Sequence, residues 1–455
     1  MSHDTHQAVL FEGFSSKPLV VEFTAERLSS DGGVALLAQV DRRLGLTARL
    51  SEALLDRRLP ERVEHKLSDL LRQRVFSIAL GYADCNDAAR IGDDLAVKLA
   101  CGRSPTSDQG LASQPTLSRF ERDRSGRELV GAARALERTV LDDLRRRHKR
   151  ARRITIDLDS SVDPTHGQQP FTFFNGYYDS WCYLPLLGFL SVDDEPEQHL
   201  FFARLRPGTA RDVRCVRALL RRIVPDLKRR FPRAEVLVRL DAGFAGAELF
   251  KLLDELHVKY LVAMPQNPKL VRIAARHMHA VRSIAEQFGG TTTLHGETDY
   301  RAKTWSRVRR AIFKAEVTDL AGRALRDNLR IVVTNLRGSP ESLWKLYAHR
   351  GDVENRIKEL KHDLEIDRTS STSFLANQLR VLSTAAAFVL FQSLRHALAR
   401  TELARAQVGT LRLRLLKIGA IVRESCRRIV LLMPATHPWA DVWRRAALAV
   451  GASAR

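Results

Sequence analysis

The sequence predicts an α/β core, interrupted by a β-rich insertion and flanked by helical N- and C-terminal regions. Three observations carry this. Residues 154–264 alternate short apolar, β-branched runs with helix-period stretches, in the order β-β-β-α-β-α-β. Two of those runs end on acids: Ile154-Thr-Ile-Asp-Leu-Asp159 and Glu235-Val-Leu-Val-Arg-Leu-Asp241. A later helix-period stretch, Tyr347 to Lys361, carries a third acid, Glu354, on its polar stripe.

In chain order, residues 9–23 read as two short extended segments, and a mainly helical N-terminal region runs to residue 150. Leu67-Ser-Asp-Leu-Leu-Arg-Gln-Arg-Val-Phe-Ser-Ile-Ala-Leu has a clear 3.6-residue period, and Ser113-Gln-Pro-Thr supplies a helix start with proline early. Short basic helices of this kind suit a DNA-reading region, and a plain helical bundle fits them equally well. The period changes after Arg145-Arg-Arg-His-Lys-Arg-Ala-Arg-Arg153. The first part of the core is placed at 151–268, with strands at Ile154, Tyr183, His199, Glu235 and Tyr260 and helices near 211–230 and 247–256. Residues 269–338 read as an antiparallel insertion, built from the runs beginning Gly289, Trp305 and Asn328. The core then resumes at 339–375 with the Glu354 helix, and a helical C-terminal region occupies 376–455.

Charge names the partner before any motif names the reaction. The chain has 74 Lys and Arg against 53 Asp and Glu, a net charge of +21, which points to a polyanion, most often nucleic acid. Arg145, Arg146 and Arg147 open the densest basic run, and the guanidinium fork suits phosphate. The five cysteines are far apart with no CxxC pair, which argues for reduced thiols in a cytoplasmic protein and against a zinc ribbon. No window reads as a transmembrane span, and the N-terminus lacks signal-peptide regions.

Acids after the first and fourth strands, with a third on a later helix, form the layout of an RNase H-like (retroviral-integrase-type) core. Three acids suit two Mg²⁺ ions, for which Mn²⁺ can substitute: hard dications take oxygen ligands, and a pair of them clamps the attacking and leaving oxygens of a phosphodiester. Asp159, Asp241 and Glu354 are therefore the candidate catalytic and metal-holding residues. Asp157 lies on the same strand face as Asp159 and stays open as the alternative; Asp159 is favoured because Ser161 follows two residues on. Asp163 reads as a turn residue before Pro164. On a helical wheel Tyr347, Arg350, Glu354 and Lys361 share an arc of roughly 60°. Arg350, Lys358 and Lys361 put positive charge around the glutamate. Phe171 to Tyr183 holds seven aromatics in thirteen residues. They suit a stacking surface for splayed bases, with a β-hairpin packed on the sheet as the simpler reading.

The spacing of Tyr347, Arg350, Glu354 and Lys361 resembles the YREK signature of bacterial insertion-sequence DDE transposases. Asp157-Leu-Asp-Ser-Ser-Val-Asp-Pro-Thr-His-Gly-Gln-Gln, Phe174-Asn-Gly-Tyr-Tyr-Asp-Ser-Trp-Cys-Tyr, Leu205-Arg-Pro-Gly and Arg350-Gly-Asp-Val-Glu-Asn-Arg-Ile-Lys-Glu-Leu-Lys are similar to the group whose insertion sequences are numbered thirteen-eighty. Ser161 stands where that group would have threonine, and the hydroxyl is kept. The resemblance implies a transposase that binds terminal inverted repeats in double-stranded DNA and cuts and joins strands with Mg²⁺. It also implies a homodimer in the synaptic complex, with no membrane, in the bacterial cytoplasm at the nucleoid. Tyr347, Arg350 and Lys361 then contact element-end DNA. Two other readings stay open: a nuclease of the same fold without strand transfer, and a non-catalytic DNA-binding protein.

Overall fold

The computed structural model describes residues 9–11, 19–21, 28–210, 213–319 and 323–454. The chain divides into two units, one of Ala48–Leu55 with Glu121–Gln392, the other of Met1–Thr47, Asp56–Phe120 and Ser393–Arg455.

The first of these carries the candidate site. Helix α1 (Gly126–Arg147) starts at a capping box, in which Ser125 and Glu128 satisfy each other's backbone N–H groups. Strand β1 (Arg153–Ser160) follows, then three short strands, β2 (Asp163–Pro164), β3 (Phe173–Asn175) and β4 (Ser180–Tyr183), which pair in the order β2-β4-β3. The core continues with β5 (Leu186–Val192), β6 (His199–Arg204), α2 (Val213–Arg230), β7 (Glu235–Leu240), α3 (Ala247–Glu255) and β8 (Lys259–Met264). Strand β1 is apolar on one face through Ile154, Ile156 and Leu158, all fully buried. It pairs parallel with β7 and antiparallel with β5; β7 pairs parallel with β8, and β5 antiparallel with β6. Both parallel links need crossover helices, which α2 and α3 supply.

Beyond β8 the structure departs from the expected insertion. A 21-residue helix, α4 (Pro268–Phe288), comes first, started by Asn267 accepting from Leu270 N–H with proline in its first turn. Its buried face is Leu270, Ala274, Val281 and Ala285, two of them alanines, too sparse an apolar stripe to stand out in a polar segment. Strands β9 (Thr292–Tyr300), β10 (Arg309–Thr318) and β11 (Arg326–Thr334) are antiparallel, as the pattern predicts. They do not form a sheet of their own. β11 pairs with β8, so one eight-stranded mixed sheet runs β9-β10-β11-β8-β7-β1-β5-β6.

The Tyr347–Lys361 stretch is two helices, not one: α5 (Pro340–Ala348) and α6 (Gly351–Lys358), followed by a wide π turn at Glu359–Asp363. Gly351 has low helix propensity. Between the helices the backbone tightens into i+3 bonds, Arg350 N–H to Tyr347 O and Val353 N–H to Arg350 O.

Helix α7 (Phe374–Ala397) is long and apolar enough to cross a membrane, contrary to the sequence expectation that no such window exists; 83% of its apolar window is buried, which marks a core helix. Its Gln378 and Gln392 side chains accept from Leu205 and Leu200 N–H at 2.7 and 2.9 Å, so these buried amides cover one edge of the sheet at β6.

In the other unit the helix Leu67–Ala79 forms as read, Val34–Leu44 and Leu95–Ala100 are also helical, and Val9–Phe11 pairs antiparallel with Leu19–Val21. Gly33 is required there: a Cβ would stand 1.8 Å from Leu415 O. Buried Asp31 accepts from the Tyr82 hydroxyl at 2.8 Å and pairs with Lys417 at 2.7 Å. The C-terminal region is not wholly helical. Ala420–Ser425 and Arg428–Leu432 form a hairpin to which Leu28–Ser29 adds a third strand. The β-branched pairs Ile421-Val422 and Ile429-Val430 favour strands there.

Candidate active site

The strand order sets the site. β1 and β7 lie side by side and parallel, so the acids that follow them emerge at the same edge of the sheet. Asp159 is nearly buried and Asp241 is about one-third exposed. Between them sits the Arg350 guanidinium, 2.9 Å from Asp159 Oδ1 and 3.7 Å from Asp241 Oδ2. Burial is the main influence on the Asp159 carboxyl and pushes it up to about 6; Arg350 opposes the rise, while Asp241 and Glu354 add to it. Asp241 is also the turn cap that its context suggests, since its Oδ1 accepts from Gly243 N–H at 3.0 Å. One carboxylate thus closes a turn with one oxygen and faces Arg350 with the other.

Asp157 is committed elsewhere. Register places it opposite Arg239 on β7, and Arg239 donates to both its oxygens at 2.8 and 2.6 Å. Both side chains are almost fully buried. Arg239 also donates to Leu346 O at 2.8 Å, tying β7 to the end of α5. A charge in the otherwise apolar run Val236-Leu-Val-Arg-Leu is the signal the sequence offered for this pair. Asp163 is also not a turn residue. It is wholly buried on β2, its carboxyl accepts from the Thr369 hydroxyl at 2.9 Å, and burial pushes it up to about 8.

The remaining predicted residues separate into three places. Tyr347 is half-buried beside Arg350, with its ring 5.7 Å from Trp344; burial raises its hydroxyl. Glu354 is exposed in the first turn of α6, and its charge acts on Asp159. Lys358 is exposed on the same helix, whereas the π turn directs Lys361 to the Val162 carbonyl, at 2.5 Å. Arg145, Arg146 and Arg147 are not brought to this site. They end α1 near the start of β1, and that strand runs about 20 Å from Arg153 to Asp159 at strand rise. Arg146 and Arg147 pair with Asp143, and Arg145 donates to Lys149 O.

The aromatic segment is a hairpin, as read, but it does not lie packed on the sheet. Phe171, Phe173, Phe174, Tyr177, Tyr178 and Trp181 are all exposed, and within the segment only Cys182 and Tyr183 face inward.

The donor chemistry fits a hard dication: carboxylate oxygens, no thiolate, and mutual repulsion that a cation relieves. Among the described residues, no group of three or more His, Cys, Asp or Glu is close enough to hold a metal as the side chains stand. Arg350 supplies the positive charge between Asp159 and Asp241 instead.

Strand-end carboxylates gathered over adjacent parallel strands of a mixed α/β sheet, with a third acid on a nearby helix, fit the class of DDE transposases. The family model for transposase DDE domain group 1 matches residues 11–453, and the chain belongs to that family. No curated protein matches the chain.

Proposed function

We propose that this transposase binds the ends of a mobile DNA element, hydrolyses a strand there and joins the freed 3′-hydroxyl to target DNA, in the cytoplasm, with two copies bringing two ends together. The observation that carries the reading is the Asp159–Arg350–Asp241 arrangement at the carboxyl ends of β1 and β7. The strand order β6-β5-β1-β7-β8, with its antiparallel and parallel halves, supports an RNase H-like core.

Asp159, Asp241 and Glu354 would hold the divalent cations, two Mg²⁺ or Mn²⁺. When bound, such ions favour the attacking oxygen and stabilise the leaving one. The chain's own residues do the rest. Arg350 offsets the charge of the acid pair, and a dication held by Asp159 and Asp241 would take the place of its guanidinium. Once released it is one residue from α6 and free to take a backbone phosphate, beside Tyr347, Lys358 and Lys361. Glu354 lies one turn beyond Arg350 on α6 and would approach Asp159 at the break between α5 and α6.

The test is cleavage of DNA carrying the element ends, with Mg²⁺ or Mn²⁺, by the wild type and by Asp159→Asn, Asp241→Asn and Glu354→Gln. Each variant is expected to lose at least about a hundredfold in rate, consistent with loss of a metal-holding group. Undiminished cleavage by any of the three removes that residue from the site. Cleavage by the wild type without joining of the 3′ end favours a nuclease.

A further inference from the structure

An exposed aromatic face is costly unless something covers it, and this one is held out by construction. The hairpin β3–β4 is pinned on its inner side. Tyr183 donates to Pro170 O at 2.7 Å and packs edge-on against Phe374, 5.6 Å away, and Asn175 donates to Gly208 O at 2.9 Å. At Gly208 a Cβ would stand 2.2 Å from Cys182 O, so the loop after β6 presses directly on the hairpin backbone. Asp179 holds a left-handed φ of 49° at the turn into β4. The outer side is then bare: Trp181 is 57% exposed, Phe174 51% and Tyr177 88%. Phe174 and Trp181 are direct cross-strand partners with ring centroids 6.5 Å apart, and Tyr177 meets Tyr178 edge-on at 4.9 Å.

Position and composition select the occupant. The exposed large side chains of the segment are all π systems, the groups on which unpaired bases stack. Strand β4 of the hairpin pairs with β2, which begins four residues after Asp159, so the hairpin stands at the same end of β1 as that acid. Lys361 caps the Val162 carbonyl at the hairpin's base. A chain of +21 thus carries its exposed aromatic faces on the hairpin that follows Asp159.

We propose that the β3–β4 hairpin is a base-stacking platform, on which Phe174, Tyr177 and Trp181 hold unpaired nucleotides of DNA whose phosphodiester lies at Asp159 and Asp241. This rests on the DNA-processing reading above. Stacking is indifferent to sequence, so the platform selects unpaired over paired nucleotides, not one base over another.

The test compares full-length protein on a blunt duplex of about 20 base pairs and on the same duplex with an unpaired 3′ tail of about four nucleotides containing 2-aminopurine. Wild type is expected to bind the tailed duplex about tenfold more tightly and to quench the 2-aminopurine, as one or two stacked bases require. Phe174→Ala/Tyr177→Ala/Trp181→Ala is expected to bring both duplexes to within about twofold while keeping its affinity for the blunt one. Trp181→Phe, which keeps a π face, should retain the preference and shows that the fold tolerates change there. A triple variant that still prefers the tail overturns the inference. So does a triple variant whose sedimentation without DNA shifts to a smaller species while tail preference persists, since the face is then a contact between copies. Wild type that binds neither duplex overturns the DNA-processing reading itself; wild type that binds both equally overturns only the platform.

Discussion

Arg239→Met separates the two candidate first acids, because the structure pairs Asp157 with Arg239 inside the sheet and sets Asp159 against Arg350 at its edge. In the wild type Arg239 makes two charge-assisted bonds to Asp157, at 2.8 and 2.6 Å, between side chains 4% and 1% exposed. Removing one partner leaves a buried carboxylate uncompensated, which costs about 3–5 kcal/mol. The Leu346 carbonyl also loses its donor, adding about 1 kcal/mol. The unit that holds the pair is Ala48–Leu55 with Glu121–Gln392. At that size the unfolding entropy is on the order of 0.6 kcal/mol/K, so the loss corresponds to a fall in Tm of about 6–10 °C. Arg239→Met/Asp157→Leu removes both charges and should recover most of it, leaving the deficit of the Leu346 carbonyl, about 2 °C. Differential scanning calorimetry reads both values. A single variant that melts within about 2 °C of wild type refutes the buried-pair argument. A folded Asp157→Asn protein that binds Mn²⁺ as poorly as Asp159→Asn refutes the assignment of the first metal acid to Asp159.

Two predictions concern pH. Asp159 titrates near 6, so a proton competes with the cation below that value, and Mn²⁺ affinity should fall about tenfold per unit below pH 6, where an ordinary carboxylate would hold to about pH 4; titration calorimetry giving a flat profile down to pH 5 counts against this. Asp163 has its folded pKa raised to about 8 from an unfolded value near 3.8, so the folded state keeps a proton that the unfolded chain gives up. Its contribution to stability is therefore full below about pH 4 and is lost as pH rises to 8. Asp163→Asn mimics the protonated acid and should flatten the dependence of Tm on pH between 4 and 8; an unchanged slope assigns it to other groups.

What the sequence shows and what it hides follow one line. The five core strands are legible because each is a short apolar run ended by a charge or a turn, and burial on both faces leaves β-branched side chains little alternative. That Asp159 and Asp241 come together follows from those runs, since each acid ends one of two adjacent parallel strands. Asp163 is not, because its partner Thr369 lies 206 residues away and nothing local separates a buried acid from a turn cap. Helix α4 hides behind two alanines in its buried stripe, and the split between α5 and α6 behind a heptad-like pattern that continues across Gly351. The aromatic segment announces its hairpin through composition, but which side of it faces solvent is decided by Gly208 and Phe374, from elsewhere in the chain.

The continuity of the eight-stranded sheet also governs self-association. A five-stranded core would end on β8 on one side and β6 on the other, each offering unpaired backbone groups to a neighbouring molecule. The Gln392 amide occupies one such group on β6 and Gln378 the N–H just past its end, while β11 occupies β8. The exposed border is thereby moved to β9, where His295, Glu297 and Asp299 interrupt the strand with polar and acidic side chains. The insertion acts as a guard against sheet-to-sheet polymerisation, and trimming it back to β8 should yield a chain that precipitates as fibrils before its chemistry can be assayed.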